Sequence, residues 1–217
     1  MKPLFSEIFM TEVYADALKN IRHDTPTILD VGGNMGYFAL YSFLRKPDAT
    51  VYSFEPVPKN FSYLKTNKAD HPAFDWTLFN TAVSNQSGEH DFFYDEDYSP
   101  EGIDVSASLF SAERIQTVNK NHKKIKVPVI NLSEWMEDNK IMVCDLLKLD
   151  CEGAEYNILY SMSDACFKSI RYIVADVHQM SGDNENINDL ATYLRTKGYE
   201  VNTVNQELLY ARQSDAR

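Results

Sequence analysis

Residues 27–38 read TILDVGGNMGYF, and this stretch decides how the chain is expected to fold. Three apolar or β-branched residues lead into Asp30, and Thr27–Val31 is expected to form a short buried strand. Three glycines follow within five positions, and Tyr37–Leu44 then has helical spacing. Glycine permits a positive φ and a close approach to a ligand, and the helix that follows points free N–H groups at a bound molecule. The stretch therefore predicts a strand, a ligand-binding turn and a helix.

The acid at Asp30, two residues before the first glycine, indicates the charge of the ligand. The glycines follow a G-G-x-x-G pattern, which differs from the G-x-G-x-x-G pattern that seats the pyrophosphate of a dinucleotide. An aspartate here suits a cation, and the methionine part of S-adenosylmethionine carries an ammonium and a sulfonium. We expect Asp30 to attract that amino-acid end, directly or through water. The alternative is a turn aspartate bonded to its own backbone.

Strands and helices alternate along most of the chain, which predicts an α/β fold with a mostly parallel sheet and helices on both faces. The predicted strands are Thr27–Val31, Thr50–Phe54, Trp76–Ser84, Ile125–Ile130, Leu146–Asp150, Tyr172–Val177, Tyr199–Val204 and Glu207–Arg212, with Glu89–Tyr94 as a hairpin partner of Trp76–Ser84. The predicted helices are residues 4–21, Tyr37–Leu44, Lys59–Ala69, Ser133–Asp138, Ala154–Met162 and Ile187–Gly198. Such sheets bind ligands at the carboxyl ends of their strands.

The 217 residues are expected to form a single domain, residues 1–217, with two segments outside its core. Residues 1–22 carry an apolar stripe at helical spacing and are expected to form an N-terminal helical cap. Residues 95–125 are predicted to be a lid or an insertion, because a run of acids without Lys or Arg gives way there to a run of Lys and Arg without acids. The alternative is two solvated faces that balance each other's charge.

Polar residues after the second and third strands are candidates for binding a nucleoside. Glu55 follows the second strand, where an acid can accept hydrogen bonds from both hydroxyls of a ribose. Asn80 and Ala82 follow the third strand and are expected to edge the adenine, since an amide can pair with an exocyclic amine. Asp30, Glu55 and these two residues together predict a cofactor site along the edge of the sheet.

Four further polar residues follow two strands that we expect to be neighbours: Asp150, Glu152, Asp176 and His178. We expect these side chains to converge. Asp150 is expected to contact the methionine end of the cofactor or the methyl acceptor. Glu152 can fix the turn, bind the acceptor or take up a proton.

The charge and composition exclude several classes of partner. A net charge of −11 argues against nucleic acid or an anionic membrane, since a basic surface supplies most of the affinity for phosphates. No apolar run approaches the roughly 20 residues of a membrane span, and the N-terminus lacks the features of a secretion signal. Three cysteines without CxxC spacing predict free thiols and a cytoplasmic location. The expected partner is a small molecule or a sugar, and both monomer and homodimer remain open.

The sequence resembles the FkbM-type methyltransferases, a branch of the class I S-adenosylmethionine-dependent enzymes. The matching pieces are ILDVGGNMGYF, YSFEPVPKNFSYL, NTAVSNQSG, LLKLDCEGAEYNIL and IVADVH. The resemblance implies a Rossmann-like class I methyltransferase fold, with a seven-stranded, mostly parallel sheet whose last strand is antiparallel. It also implies methyl transfer, commonly to a hydroxyl of a sugar or small metabolite. The D-x-G-x-N-x-G match implies cofactor contacts at Asp30, Gly32, Gly33, Asn34 and Gly36.

The expected catalytic residues are His178, Asp150 and Glu152. A hydroxyl acceptor must lose a proton, and His178 is the first candidate base because imidazole titrates near neutral pH. The alternative for His178 is a structural role at the strand end. A divalent metal held by Asp150, Glu152, Asp176 and His178 fits the ligand chemistry, but an acid cluster without a metal is the simpler interpretation. The family more often has glutamate at the position of Asp176, and the shorter side chain reaches less far.

Two other functional classes stay open. An NAD(P)-dependent short-chain oxidoreductase would share the sheet, although the glycine pattern argues against it. A catalytically silent protein that binds S-adenosylmethionine would keep the cofactor site without the reaction. Replacing His178, Asp150 and Glu152 one at a time distinguishes that protein from an enzyme.

Overall fold

The structure, a computed structural model, describes residues 4–94, 109, 123–180 and 184–214. Its strands are β1 (Thr27–Val31), β2 (Thr50–Phe54), β3 (Asp75–Phe79), β4 (Ala82–Ser84), β5 (Gly88–Tyr94), β6 (Lys123–Asn131), β7 (Leu146–Leu149), β8 (Tyr172–Asp176), β9 (Tyr199–Val204) and β10 (Leu208–Gln213). A π-helical turn at Ser6–Met10 precedes the helices α1 (Ala15–Asn20), α2 (Tyr37–Arg45), α3 (Pro58–Asp70), α4 (Leu132–Asp138), α5 (Glu155–Ser161), α6 (Asp164–Ser169) and α7 (Ile187–Thr196). None of the helices in the described ranges combines the length and the apolar character needed to cross a membrane.

The predicted lid, residues 95–125, lies outside the described residues except for Leu109 and residues 123–125. Leu109 packs beside the apolar residues of the strands that flank this segment. Residues 123–125 form the start of β6. The interpretation of the segment as a lid therefore stays a prediction.

Within the described residues, seven strands form one sheet in the order β3-β2-β1-β7-β8-β10-β9. The first five strands in this order, β3, β2, β1, β7 and β8, run parallel to one another. β10 runs antiparallel to both β8 and β9. The predicted α/β fold is confirmed, including the antiparallel last strand. The strand order reverses between β1 and β7, so the topological switch point lies at the carboxyl ends of these two strands.

The two faces of this sheet carry separate apolar cores, as the alternation of side chains along a strand requires. Leu29 of β1 and Leu147 of β7 pack with residues of α4, α5, α6 and α7 on one face. Ile28 and Leu146 pack with α1, α2 and α3 on the other face. Helices on both faces therefore leave the carboxyl edge of the sheet as the place where polar side chains can meet.

The predicted single strand Trp76–Ser84 and its hairpin are wrong. In the described part of the chain, β4 leaves the main sheet and pairs in parallel with β6 in a three-stranded sheet ordered β4-β6-β5, and β5 pairs antiparallel with β6. The break has a local cause. Asn80 Nδ2 donates to the carbonyl of Glu55, and Thr81 Oγ1 donates to the carbonyl of Pro128, so the chain turns between the two sheets.

The continuous helix predicted for residues 4–21 is also wrong. The π-helical turn Ser6–Met10 and α1 are separate pieces, and Glu12 between them has a φ of 51°. A residue in the left-handed region cannot continue a helix. Ile8 and Leu18 nevertheless pack in the same apolar core.

Candidate active site

The carboxyl ends of β1, β2, β7 and β8 open into one cleft, which encloses about 1060 Å³ when the part open to solvent is counted. Most of the predicted site residues line it: Gly32, Gly33, Asn34, Glu55, Ala82, Asp150, Glu152, Asp176 and His178. Asp30, Gly36 and Asn80 do not line it and instead contact protein groups behind its wall. The cleft therefore brings together residues from both halves of the sequence, as their positions after the strands predict.

Asp30 is fully buried beneath the glycine turn. Ser53 Oγ donates to Asp30 Oδ2 at 2.8 Å, and Lys148 Nζ lies 3.3 Å from Asp30 Oδ1. The three residues occupy opposite positions on β2, β1 and β7, so they form one polar row across the sheet. Burial raises the pKa of Asp30, and the charge of Lys148 and the hydrogen bond from Ser53 partly offset that rise. The partners of Asp30 are thus side chains on neighbouring strands.

The packing of the protein itself leaves no room for a side chain at Gly32 or Gly36. Their φ values are +78° and +88°, in the region that side chains rarely adopt. A Cβ at Gly32 would clash with the carbonyl oxygen of Asp150, and a Cβ at Gly36 would lie 2.5 Å from the ring of Trp76. The absence of a side chain at Gly32 therefore allows the turn after β1 to press against the turn after β7.

Glu55 organises the turn after β2 and is only 4% exposed. Its Oε2 accepts the backbone N–H of Asn34 at 2.8 Å, and its Oε1 accepts that of Val57 at 2.8 Å. Burial raises the pKa of Glu55 to about 7, although both of these hydrogen bonds act to lower it. Asn80 Nδ2 donates to the carbonyls of Glu55 and Pro56, so Asn80 supports this turn from behind. Each carboxylate oxygen keeps a lone pair beyond these bonds, and Glu55 lines the cleft.

His178 lies between two glutamates. Its Nδ1 is 3.3 Å from Glu155 Oε1, and its Nε2 is 3.4 Å from Glu152 Oε2. Glu155 is fully buried and accepts the backbone N–H groups of Cys151 and Gly153. Burial alone would lower the pKa of His178, but the hydrogen bond with Glu155 and the surrounding negative charges raise it well above its ordinary value. The geometry therefore favours a protonated imidazole, which cannot accept a proton.

Glu152 is the strained member of this group. Its φ of 53° lies in the left-handed region, which non-glycine residues seldom adopt. Backbone strain of this kind is concentrated at functional sites. Burial raises the pKa of Glu152 to about 8, and the charge of His178 partly offsets the rise. Burial and the charge of Asp150 raise the pKa of Asp176 to about 7. The cluster thus holds more carboxylates than its positive charges can keep ionised at neutral pH.

Three of the four residues in the predicted metal set come together. Ligand atoms of Asp150, Asp176 and His178 lie within 4.8 Å of one another, whereas Glu152 is not part of that group in the described residues. Both ring nitrogens of His178 face glutamates, and Lys148 Nζ lies 3.5 Å from Asp150 Oδ2. A metal at this point would have to displace these contacts.

Lys148 and Glu155 belong to the site but are not among the residues predicted from the sequence. Lys148 stands between leucines in a strand whose side chains are all buried. A lysine in that position indicates a buried ion pair, because a buried charge is costly unless an opposite charge lies beside it. Glu155 follows a glycine turn at the start of α5, where a carboxylate can accept backbone N–H groups. Both signals are visible in LLKLDCEGAE.

Tyr193 and Lys197 have the Tyr-x-x-x-Lys spacing that is typical of short-chain oxidoreductases. Lys197 Nζ pairs with Asp164 Oδ1 at 2.6 Å, and the Tyr193 ring packs edge-on against Tyr160. Neither residue lines the cleft. The pair therefore does not supply oxidoreductase chemistry at this site.

The comparison with known families gives a match over most of the chain. The family described as the Methyltransferase FkbM domain matches residues 30–201. The 31-O-demethyl-FK506 methyltransferase FkbM of Streptomyces tacrolimicus is 28% identical over 227 residues, covering 96% of this chain and 85% of that protein. The 2-O-methyltransferase NoeI of Sinorhizobium fredii is 25% identical over 175 residues, covering 76% of this chain and 68% of that protein.

A crystal structure of Methyltransferase FkbM from Methylobacillus flagellatus KT has the same fold, with a TM-score of 0.59 and 15% identity. The match covers 89% of this chain but only 45% of that longer chain. Similarity at this level of identity bears on the fold alone. The chain therefore shares its overall fold with that solved structure.

Proposed function

Since this chain belongs to the FkbM methyltransferase family, we propose that it transfers a methyl group from S-adenosylmethionine to a hydroxyl group of a small molecule or sugar. When bound, S-adenosylmethionine supplies an electrophilic methyl group on a positively charged sulfur. The observation that carries the proposal is the acid-lined cleft at the switch point of the sheet, with Glu55 after β2 and Glu152 after β7. The name of the S. fredii relative supports oxygen as the methylated atom.

The residues of the cleft fit a cationic nucleoside. Glu55, Asp150, Glu152 and Asp176 all line it, and burial or mutual repulsion raises the pKa of three of them, namely Glu55, Glu152 and Asp176. A ligand with a positive charge relieves that repulsion. Glu55 would hold the ribose, and the turn at Gly32–Asn34 with Asp150 would hold the methionine end. Ala82, with Thr81 and Phe92 nearby in the lining, would border the base.

We assign the role of general base to Glu152. Its carboxylate lines the cleft, and its pKa near 8 is close to the range in which a base works best at neutral pH. Proton transfer from an acceptor hydroxyl to Glu152 Oε2 leaves a neutral acid beside the protonated imidazole of His178. His178 and Glu155 then act as positioning residues, because Glu155 anchors the ring and the ring faces Glu152 Oε2.

The acceptor is proposed to lie between the acid cluster and the N-terminal cap. Leu4, Glu7 and Ile8 line the cleft from the cap side, and Tyr37 and Phe38 of α2 continue this wall. The wall is mainly apolar and aromatic, which suits the ring of a sugar or of a small metabolite. Positioning supplies much of the rate in such a displacement, because the leaving group is already activated.

The proposal is tested by incubating the protein with S-adenosylmethionine and a panel of neutral hydroxyl compounds, including hexoses, deoxyhexoses and macrocyclic alcohols. We expect mass spectrometry to show a gain of one methyl group on at least one acceptor, with formation of one S-adenosylhomocysteine per methyl. Equal rates of S-adenosylhomocysteine formation by the wild type and the Glu152→Gln variant, or methylation of amines alone, would contradict the assignment.

A further inference from the structure

Lys148 is a buried charge for which the proposed reaction has no step. It lies in β7, is 2% exposed, and stands between Leu147 and Leu149, whose side chains pack on the opposite face of the sheet. Its ammonium lies 5.8 Å from the centre of the Phe38 ring. A lysine in such a place is costly unless its charge is satisfied, so its contacts indicate its role.

The ammonium of Lys148 contacts both turns that form the floor of the cleft. Its Nζ donates to the carbonyl oxygens of Gly32 at 2.7 Å and Val31 at 3.3 Å. It also lies 3.3 Å from Asp30 Oδ1 and 3.5 Å from Asp150 Oδ2. The two carbonyl oxygens accept two of the three protons of the ammonium, and both carboxylates lie within ion-pair distance of it. Lys148 therefore links the turn after β1 to the turn after β7.

The backbone beside Lys148 allows little relative movement of the two turns. The N–H of Asp150 donates to the carbonyl of Val31 at 3.1 Å. A Cβ at Gly32 would clash with the carbonyl oxygen of Asp150, so the two chains are in direct contact there. Lys148 holds the groups that project from this contact: the carbonyl of Gly32 on one side and the carboxylate of Asp150 on the other.

We propose that Lys148 is a positioning residue that fixes the Gly32 carbonyl and the Asp150 carboxylate relative to each other, so that the floor of the cleft is preformed for the methionine end of the methyl donor. This inference rests on the proposed function, because it assigns that end of the ligand to these two turns. The structural alternative is that Lys148 only neutralises Asp30 in the interior of the sheet.

Two variants separate these roles. Lys148→Met leaves Asp30 as an uncompensated buried charge, which strongly destabilises a fold. The double variant Asp30→Asn with Lys148→Met removes both charges and keeps a side chain that can accept the hydrogen bond from Ser53. We expect the double variant to recover most of the melting temperature that the single variant loses. We also expect its affinity for S-adenosylhomocysteine to stay at least tenfold below that of the wild type.

Lys148→Arg supplies an independent test in a variant that keeps the positive charge. The guanidinium still compensates the charge of Asp30. Its N–H donors lie in one plane, however, whereas those of an ammonium point in three directions out of a plane. We expect a melting temperature above that of Lys148→Met and a tenfold or larger loss of affinity for S-adenosylhomocysteine. In steady-state rates, the KM for the methyl donor should rise more than kcat falls.

A matched control is the partly buried charge pair of Asp145 and Arg171, which precede β7 and β8 at the opposite end of the sheet. Asp145 Oδ1 lies 2.7 Å from Arg171 Nη1, and the Asp145 side chain is 4% exposed. The double variant Asp145→Asn with Arg171→Met should lower the melting temperature without changing the affinity for S-adenosylhomocysteine. An equal loss of affinity in this control would show that any loss of stability weakens binding, and would overturn the role of Lys148.

Calorimetry with S-adenosylhomocysteine gives the decisive comparison. If the wild type binds and the double variant at Asp30 and Lys148 binds equally well, the positioning role of Lys148 is wrong and the proposed function stands. If the wild type itself does not bind, the proposed function and this inference both fall. Binding by the wild type with a tenfold or larger loss in both the double variant and Lys148→Arg supports the inference.

Discussion

His178 Nε2 lies 3.4 Å from Glu152 Oε2 at the carboxyl end of the sheet, while the other ring nitrogen of His178 faces the buried carboxylate of Glu155. Although burial alone would lower the pKa of His178, the hydrogen bond with Glu155 and the nearby negative charges raise it well above its ordinary value, so the ring favours its protonated form. The carboxylate of Glu152 is the one that also lines the cleft. We therefore propose Glu152, rather than the imidazole, as the general base, and this leads to the first prediction.

Glu152→Gln is expected to lower kcat by a factor of about 10² to 10⁴, the usual contribution of a general base. Glutamine keeps the size of the side chain and its contact with His178 but cannot take up a proton. His178→Asn should cost less, because it removes a positioning group. Initial rates with saturating methyl donor measure both effects. Glu137→Gln, on the exposed face of α4, is the control and should have wild-type rates.

The pH profile separates the two candidate bases. Since Glu152 must be ionised to act, log(kcat/KM) should rise with a slope of one and level off near its pKa of about 8. This limb should disappear in Glu152→Gln and persist in His178→Asn. The opposite pattern would return the role of base to His178.

The unliganded protein is expected to lose stability as the pH rises from 6 to 8. Glu55, Glu152 and Asp176 have pKa values raised to about 7, 8 and 7 in the folded protein, so they stay protonated where the unfolded chain ionises. The stability they contribute is complete below the unfolded pKa and is lost as the pH rises through the folded one. His178 has a raised pKa and changes in the same direction.

Scanning fluorimetry measures this effect as a fall in the melting temperature between pH 6 and pH 8, at roughly 2–4 °C for each 1 kcal/mol of stability lost by a domain of this size. The variant with both Glu55→Gln and Glu152→Gln should show a flatter profile. A melting temperature that rises between pH 6 and pH 8 in the wild type would mean that these acids are ionised in the fold.

Removal of divalent metal ions is expected to leave activity within twofold of the untreated enzyme. The ring nitrogens of His178 face glutamates, and Asp150 faces Lys148, so these groups are already in contact with protein partners. Dialysis against EDTA followed by rate measurements with and without Mg²⁺ is the test. A loss of activity that Mg²⁺ restores would instead assign Asp150, Asp176 and His178 as metal ligands.

Gly32→Ala is expected to destabilise the protein by about 3 kcal/mol or more, and Gly33→Ala by about 1 kcal/mol. Gly32 has a φ of +78°, and a Cβ there would clash with the backbone of Asp150. A Cβ at Gly33 would lie 3.2 Å from Asp30 Oδ2 and from Ser53 Cβ, where small shifts can relieve the contact. Urea unfolding of the two variants gives the comparison, and equal losses would contradict this view of the turn.

The sequence predicts the main sheet well because its strands are short apolar runs between clear turns. Thr27–Val31 and Thr50–Phe54 are confirmed to the residue. The error at Trp76–Ser84 arises because strand propensity does not reveal which sheet a segment joins. The side chains of Asn80 and Thr81 decide that, through bonds to residues distant in sequence.

The site was predictable where it depends on strand ends, since parallel strands bring those ends to one edge of the sheet. Glu55, Asp150, Glu152 and His178 all line the cleft for that reason. The protonation state of His178 was not predictable, because it depends on Glu155, whose burial only the fold reveals. The direction of Asp30, inward to Lys148, likewise depends on the register between β1 and β7.

The central claim is that this cleft binds the methyl donor, and titration calorimetry of the wild-type protein with S-adenosylhomocysteine tests it most directly. We expect binding of one molecule per chain, with an affinity at least tenfold weaker in Glu55→Ala, which removes the proposed acceptor of the ribose hydroxyls. NADH should give no heat. Folded wild-type protein that takes up neither S-adenosylhomocysteine nor S-adenosylmethionine would contradict the account.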